Sequence, residues 1–166
     1  MRRAIFAIAL LGLAAPLAAQ APAPAPRGPA PRLDAAIALA QAAISACRAK
    51  GDHVAALVVD SDNTPVVLLA DDGSVTLAQV LAPRKTALAL RYKATSGEIA
   101  ARARTDAALA AEIKADPKTG FALAGAIPLM SGGQPIGAIA VSGGSSPESD
   151  EGCAKAAVDK AGAKLR

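Results

Sequence analysis

The sequence predicts an α+β domain in which helices pack on a mainly antiparallel sheet. Two apolar hairpins bracket a helical middle, and an amphipathic helix stands at each end. The resulting order, α-β-β-α-α-β-β-α, lacks the βαβ alternation of a parallel nucleotide-binding sheet.

Residues 1–21, MRRAIFAIALLGLAAPLAAQA, come before that domain. Arg2 and Arg3 precede an apolar run from Ala4 to Ala15, and Ala19-Gln20-Ala21 forms a small-x-small cleavage pattern. This is the build of a signal peptide. The run is shorter than the ~20 residues needed to span a bilayer, so the mature form is expected to be secreted without a membrane anchor. In a Gram-negative source the destination would be the periplasm. Residues 22–32 form a Pro/Ala-rich spacer, PAPAPRGPAPR, expected to be extended and to act as a tether. Residues 33–166 remain for a single domain.

Within it, Leu33, Ile37, Ala40, Ile44 and Cys47 recur at helical spacing, and Gly51 ends the helix that starts at Leu33. His53–Asp60, HVAALVVD, is apolar on both alternating faces, as a central strand is. The turn SDNT leads to a return strand, Pro65–Ala70. Val75 to about Lys93 reads as a helix that Pro83 either kinks or divides. A further single helix is expected from Ser96 to Ala115, ahead of Pro117. FALAGAIPLM and PIGAIAVSG form the second hairpin, and the last helix starts at Pro147.

Composition narrows the function. The net charge of +4 falls to about +2 once Arg2 and Arg3 are removed, and only Tyr92 and Phe121 remain as aromatics. Neither a basic surface nor base-stacking platforms for nucleic acid are indicated. The loop SGGSSPESDE, from Ser142, has the glycines of a phosphate cradle but no lysine. Ser146 reads as an N-cap, Pro147 removes a donor, and Glu148, Asp150 and Glu151 repel an anion. SDN and KTG stand in the order found in serine β-lactamases, yet no serine lies three residues before a lysine. With His53 as the single histidine, neither a His-based metal cluster nor a Ser-His-Asp triad can be assembled. No catalytic constellation is present, and metal binding stays open.

Ligand-binding candidates are His53 and the basic run Arg84, Lys85, Arg91, Lys93, Arg102 and Arg104, which suits carboxylates. Export places Cys47 and Cys153 in an oxidising compartment. One lies near the end of the first helix and the other near the start of the last. If those helices pack antiparallel, the pair meets and forms a disulfide. Two free buried thiols are the alternative.

LDAAIALAQAAISACRAKG, VAALVVDSDNTPVVLLADDG, RKTALALRYKATS, GAIPLMSGGQPIGAIAVSGG and SDEGCAKAAVDKA together resemble the GlcG/HbpS family of small haem-binding or haem-degrading-type proteins. The resemblance implies a profilin-like, three-layer α/β/α domain, assembly into a homo-oligomer, and haem or a related tetrapyrrole as ligand. His53, Arg84, Lys85 and Tyr92 are then the candidate ligand-binding residues, with Met130 a further possible iron ligand. At Lys85-Thr86-Ala87-Leu88-Ala89 the chain departs from the family's K-A-x-T-A-like run, so Leu88 replaces a threonine able to face the ligand. The expected role is that of an exported small-ligand-binding protein. The alternatives are an enzyme of haem-degrading or small-carboxylate chemistry working through Lys85, and a ligand-free sensor or scaffold subunit.

Overall fold

A computed structural model describes residues 26–161, so the expected signal peptide and the start of the spacer lie outside the described residues. The elements are α1 (Leu33–Arg48), β1 (Ala55–Asp60), β2 (Pro65–Ala70), α2 (Thr76–Tyr92), α3 (Ser96–Ala103), α4 (Ala107–Ala115), β3 (Ala126–Ser131), β4 (Gln134–Ser142) and α5 (Pro147–Ala161). No helix among the described residues is long and apolar enough to cross a membrane.

The strands form one antiparallel sheet in the order β2-β1-β4-β3. β1 is central and buried at every position, which explains why its sequence is apolar on both faces. Strand alternation then sorts the core. Ala56, Val58, Ile139 and Val141 pack against α1 and α5. Leu57, Val59, Ala138 and Ala140 face α2. The result is the expected α/β/α sandwich. The α2 side is built largely from alanines, including Ala82, Ala89 and Ala126, so the helix approaches the sheet closely. On another flank of α2, Leu88 packs with Ile99, Leu109 and Ile113 of α3 and α4. Leu88 is fully buried there, so its place in the core accounts for an apolar residue at that position.

One alternative is settled and one expectation corrected. Of the two outcomes open for Pro83, division of the helix is not seen: α2 runs unbroken from Thr76 to Tyr92. The single helix expected over Ser96–Ala115 is two helices. Thr95 and Glu98 close a capping box at the start of α3, and the Asp106 carboxylate accepts the Leu109 N–H to start α4 afresh.

The described part of the spacer is packed down rather than standing free. Pro31 is buried, the Ser61 N–H donates to the Pro29 carbonyl at 2.9 Å, and Arg27 donates to the Pro65 carbonyl at 2.6 Å. Arg27 Nε also lies 3.2 Å from Asp60 Oδ2. Asp60 is fully buried, and a buried carboxylate requires a cation close by.

At the other end of the sheet, Cys47 and Cys153 form the expected disulfide, with Cα atoms 5.5 Å apart and both residues fully buried. The loop ahead of α5 is closed to phosphate for a structural reason as well. Asp52 accepts from Ser145 N–H at 3.0 Å, from Ser145 Oγ at 3.1 Å and, from within α5, from Ser149 Oγ at 2.9 Å, and so places a carboxylate where a phosphate would sit.

Candidate functional site

The β1–β2 hairpin brings two distant residues together. Ala55 pairs with Ala70, so His53, just before β1, and Asp71, just after β2, share one end of the sheet. His53 Nδ1 lies 3.3 Å from Asp71 Oδ2. The Asp71 side chain is fully buried, and its Oδ1 accepts from Arg48 Nε at 2.8 Å and from Arg48 Nη2. That hydrogen bond first, and then the guanidinium's charge, hold the Asp71 carboxyl below its usual value against the opposing effect of burial. An ionised carboxylate only accepts, so the neutral imidazole's proton belongs on Nδ1 and the lone pair on Nε2. The His53 side chain is 58% exposed. The arrangement is a single imidazole, oriented from behind by a buried carboxylate, with its free nitrogen accessible.

Small residues shape the surroundings. Gly73, at φ +81°, faces the His53 ring, and a Cβ there would lie 3.7 Å from ring Cγ. Gly143 sits between Ala78 and the His53 carbonyl; a Cβ on it would lie 2.9 Å and 3.5 Å from them, respectively. The first turn of α2 is therefore beside His53. Val75, Leu77 and Val80 around that turn are exposed. Arg48 Nη1 makes no hydrogen bond among the described residues, and the Arg48 side chain is half-exposed.

The other candidates are not gathered at this corner. Lys85 is sealed in the interior, 2% exposed, donating to Asp150 Oδ2 at 2.8 Å and to the Val141 carbonyl at 3.0 Å. A Cβ on Gly125 would come within 2.6 Å of Lys85 Nζ, so glycine is required beside it. Lys85 is a structural cation, and an enzyme reading built on it loses its central residue. Tyr92 donates its hydroxyl to Glu112 Oε1 at 3.0 Å. Burial, with Glu112 behind it, raises that phenol above its usual value, which disfavours the phenolate an iron ligand requires. Arg84 lies over the Phe121 ring at 5.5 Å and reaches the Thr119 carbonyl. Met130 is exposed on β3, at one edge of the sheet.

Two acids near the start of α5 turn out to be organisers. Asp150 holds Lys85, and its Oδ1 accepts the Gly144 N–H at 2.8 Å. The Glu151 carboxylate accepts from Thr95 Oγ1, Ser96 Oγ, Gly97 N–H and Gly125 N–H. It thereby caps α3 from a different helix.

A groove of about 500 Å³ lies between the β1–β2 turn, α2 and the segment after α4, lined by Asn63, Ala87, Leu90, Arg91, Asp116 and Lys118 among others. Asp116 and Glu112 neutralise Arg91, and no His, Cys, Met or Tyr lines the groove. It is not suited to an iron centre. Among the described residues, no three His, Cys, Asp or Glu side chains converge as a metal cluster. A macrocycle that brings its own four nitrogens asks for only one protein ligand, and the His53 corner offers one.

The family described as haem degrading protein HbpS-like matches residues 32–159. A double mutant of Streptomyces reticuli HbpS has a TM-score of 0.73 and 33% identity, over 89% of this chain and 99% of that one. Klebsiella pneumoniae ORFY, at 24% identity, has a TM-score of 0.72 over 80% of this chain and 90% of its own. A PduOC:heme complex, also at 24% identity, has a TM-score of 0.69 over 78% of this chain and 94% of its own. These last two share the fold. No curated protein matches the sequence.

Proposed function

The chain belongs to the HbpS-like family, and from that premise we propose that it is an exported protein that binds haem or a related tetrapyrrole through His53. The observation that carries the reading is the exposed imidazole whose Nδ1 faces the buried Asp71 carboxylate at 3.3 Å. Metal-ligating histidines characteristically have such a partner on their other nitrogen, because it fixes the tautomer and raises the basicity of the ligating one. Arg48 keeps Asp71 ionised and holds it in place. Val75, Leu77 and Val80 supply apolar surface for a flat hydrophobic ring, and the half-exposed Arg48 offers Nη1 to a propionate. A bound haem would supply the redox-active iron; His53 would hold it, with Val75, Leu77 and Val80 giving apolar contacts and Arg48 the cation.

The similarity to an HbpS structure over 89% of the chain supports the reading. Assembly into a homo-oligomer belongs to the same proposal. Titrating the purified chain with haem tests it. A Soret shift that saturates at one haem per chain at micromolar concentration is expected, and no saturable shift in that range would overturn the proposal.

A further inference from the structure

Charge and solvent are unevenly divided at the His53 corner. The Asp71 carboxylate is shut away from water, while the imidazole that it faces is 58% exposed. The two carboxylate oxygens have separate partners: Arg48 holds Oδ1, and Oδ2 is left to His53 Nδ1 at 3.3 Å. Arg48 is half-exposed, so water screens its charge more than it screens that of Asp71. The guanidinium is held above its usual value by the hydrogen bond from Asp71, then by the charge of Asp71 and last by that of Asp72. Asp72 therefore adds to the negative side of this corner, and it makes no ion pair among the described residues.

What an iron-bound imidazole meets on its far nitrogen decides which oxidation state it holds better. A carboxylate there raises the basicity of the ligating nitrogen. Stronger donation favours the iron form with the greater positive charge, and the ferric form has one charge more than the ferrous. Burial of the metal would act the other way, because a low-dielectric surrounding disfavours the extra charge. Here that opposing effect is small, since the ligating ring is exposed and only the charge behind it is buried.

We propose that the His53 corner selects ferric over ferrous haem, and that Asp71 is the positioning residue that sets the preference. The inference rests on the haem reading above and deepens it by naming the form of the ligand. The two forms differ by one electron at the iron, so selectivity between them is also a lowered midpoint potential. No bond of the chain is made or broken. The export proposed above fits the same form, because an oxidising compartment is where the ferric state is met.

Haem-loaded wild type and Asp71→Asn are titrated at an electrode, with the midpoint read from the visible spectrum. Asp71→Asn is expected to lose about tenfold or more of the ferric preference, and each factor of ten raises a one-electron midpoint by about 59 mV. Ferric affinity should fall while ferrous affinity is nearly kept. A second comparison stands even if Asp71→Asn does not fold. In His53→Gly, added imidazole can donate its N–H to Asp71, whereas N-methylimidazole has no N–H to give. The midpoint is expected to be lower with imidazole, by a margin that free haem with the same two ligands does not show. An unmoved midpoint in either comparison would overturn the inference and leave haem binding standing. A wild type that takes up no haem, or a His53→Gly variant that takes it up unaided, would overturn the His53 reading and this inference together.

Discussion

Replacing both cysteines, Cys47→Ala with Cys153→Ala, should cost this domain a large part of its stability. The bridge joins residues separated by 106 positions, so it removes the closure entropy of most of the folded chain from the unfolded state. The chain-entropy relation puts that at about 5 kcal/mol for a loop of this length. A domain's whole net stability is about 5–15 kcal/mol, so the variant is expected to be marginal. The Cα separation of 5.5 Å lies in the ordinary range for disulfides, so native-state strain should not offset the gain. Urea unfolding of the oxidised wild type and the double variant measures the difference. The free energy should fall by about 4–5 kcal/mol, and the m-value should rise because the uncrosslinked chain expands further on unfolding. A loss below about 1 kcal/mol with an unchanged m-value would refute the reasoning, since it would mean the unfolded ensemble is already as compact without the bridge.

Lys85→Met leaves the Asp150 carboxylate buried without its cation and should cost about 3–5 kcal/mol in the same assay. Adding Asp150→Asn should recover part of that loss by removing the stranded charge. Asp52, Asp71 and Asp116 all have carboxyls held below their usual value of 3.8, chiefly by hydrogen bonds from Ser149, Arg48 and the Lys118 N–H respectively. Their folded values are depressed, so their stabilisation is complete above the unfolded value and is lost as pH falls through the folded ones. Thermal midpoints should therefore drop progressively below about pH 4, and Asp71→Asn should flatten part of that dependence. Asp71→Asn should also weaken haem affinity by about 10–100-fold, the usual effect of removing a histidine's orienting carboxylate, as read by the same Soret titration.

Local chemistry made the order of elements legible, and the misses have local causes too. Val75–Lys93 reads as helical from its spacing, but whether Pro83 breaks it depends on the packing of its flanks. Thr105-Asp106 carried a cap signal inside an otherwise helical run; alanine-rich periodicity on both sides concealed it. The Cys47–Cys153 pairing followed from compartment and helix ends, because two cysteines allow one intramolecular bridge. Lys85 has the sequence signature of a ligand contact, because its partner, Asp150, lies 65 residues away and nothing in a lone lysine announces burial. Glu151 carried only its dipole role in the sequence, since its four donors come from α3 and from Gly125. The His53–Asp71 contact does have a signal in the sequence. A hairpin closed by SDNT brings the residues before β1 and after β2 to one end of the sheet, so extending the Ala55–Ala70 pair outward sets Val54 opposite Asp71, with His53 next to that pair.

The central claim is that His53 Nε2, oriented by Asp71, is the ligand that holds haem iron. Chemical rescue tests it most directly. His53→Gly removes the imidazole while leaving Asp71 and Arg48 in place, and free imidazole can occupy the vacated space against the same carboxylate. The Soret shift is expected to be lost in His53→Gly and to return, saturably, when imidazole is added. An unchanged haem spectrum and affinity in His53→Gly without imidazole would contradict it.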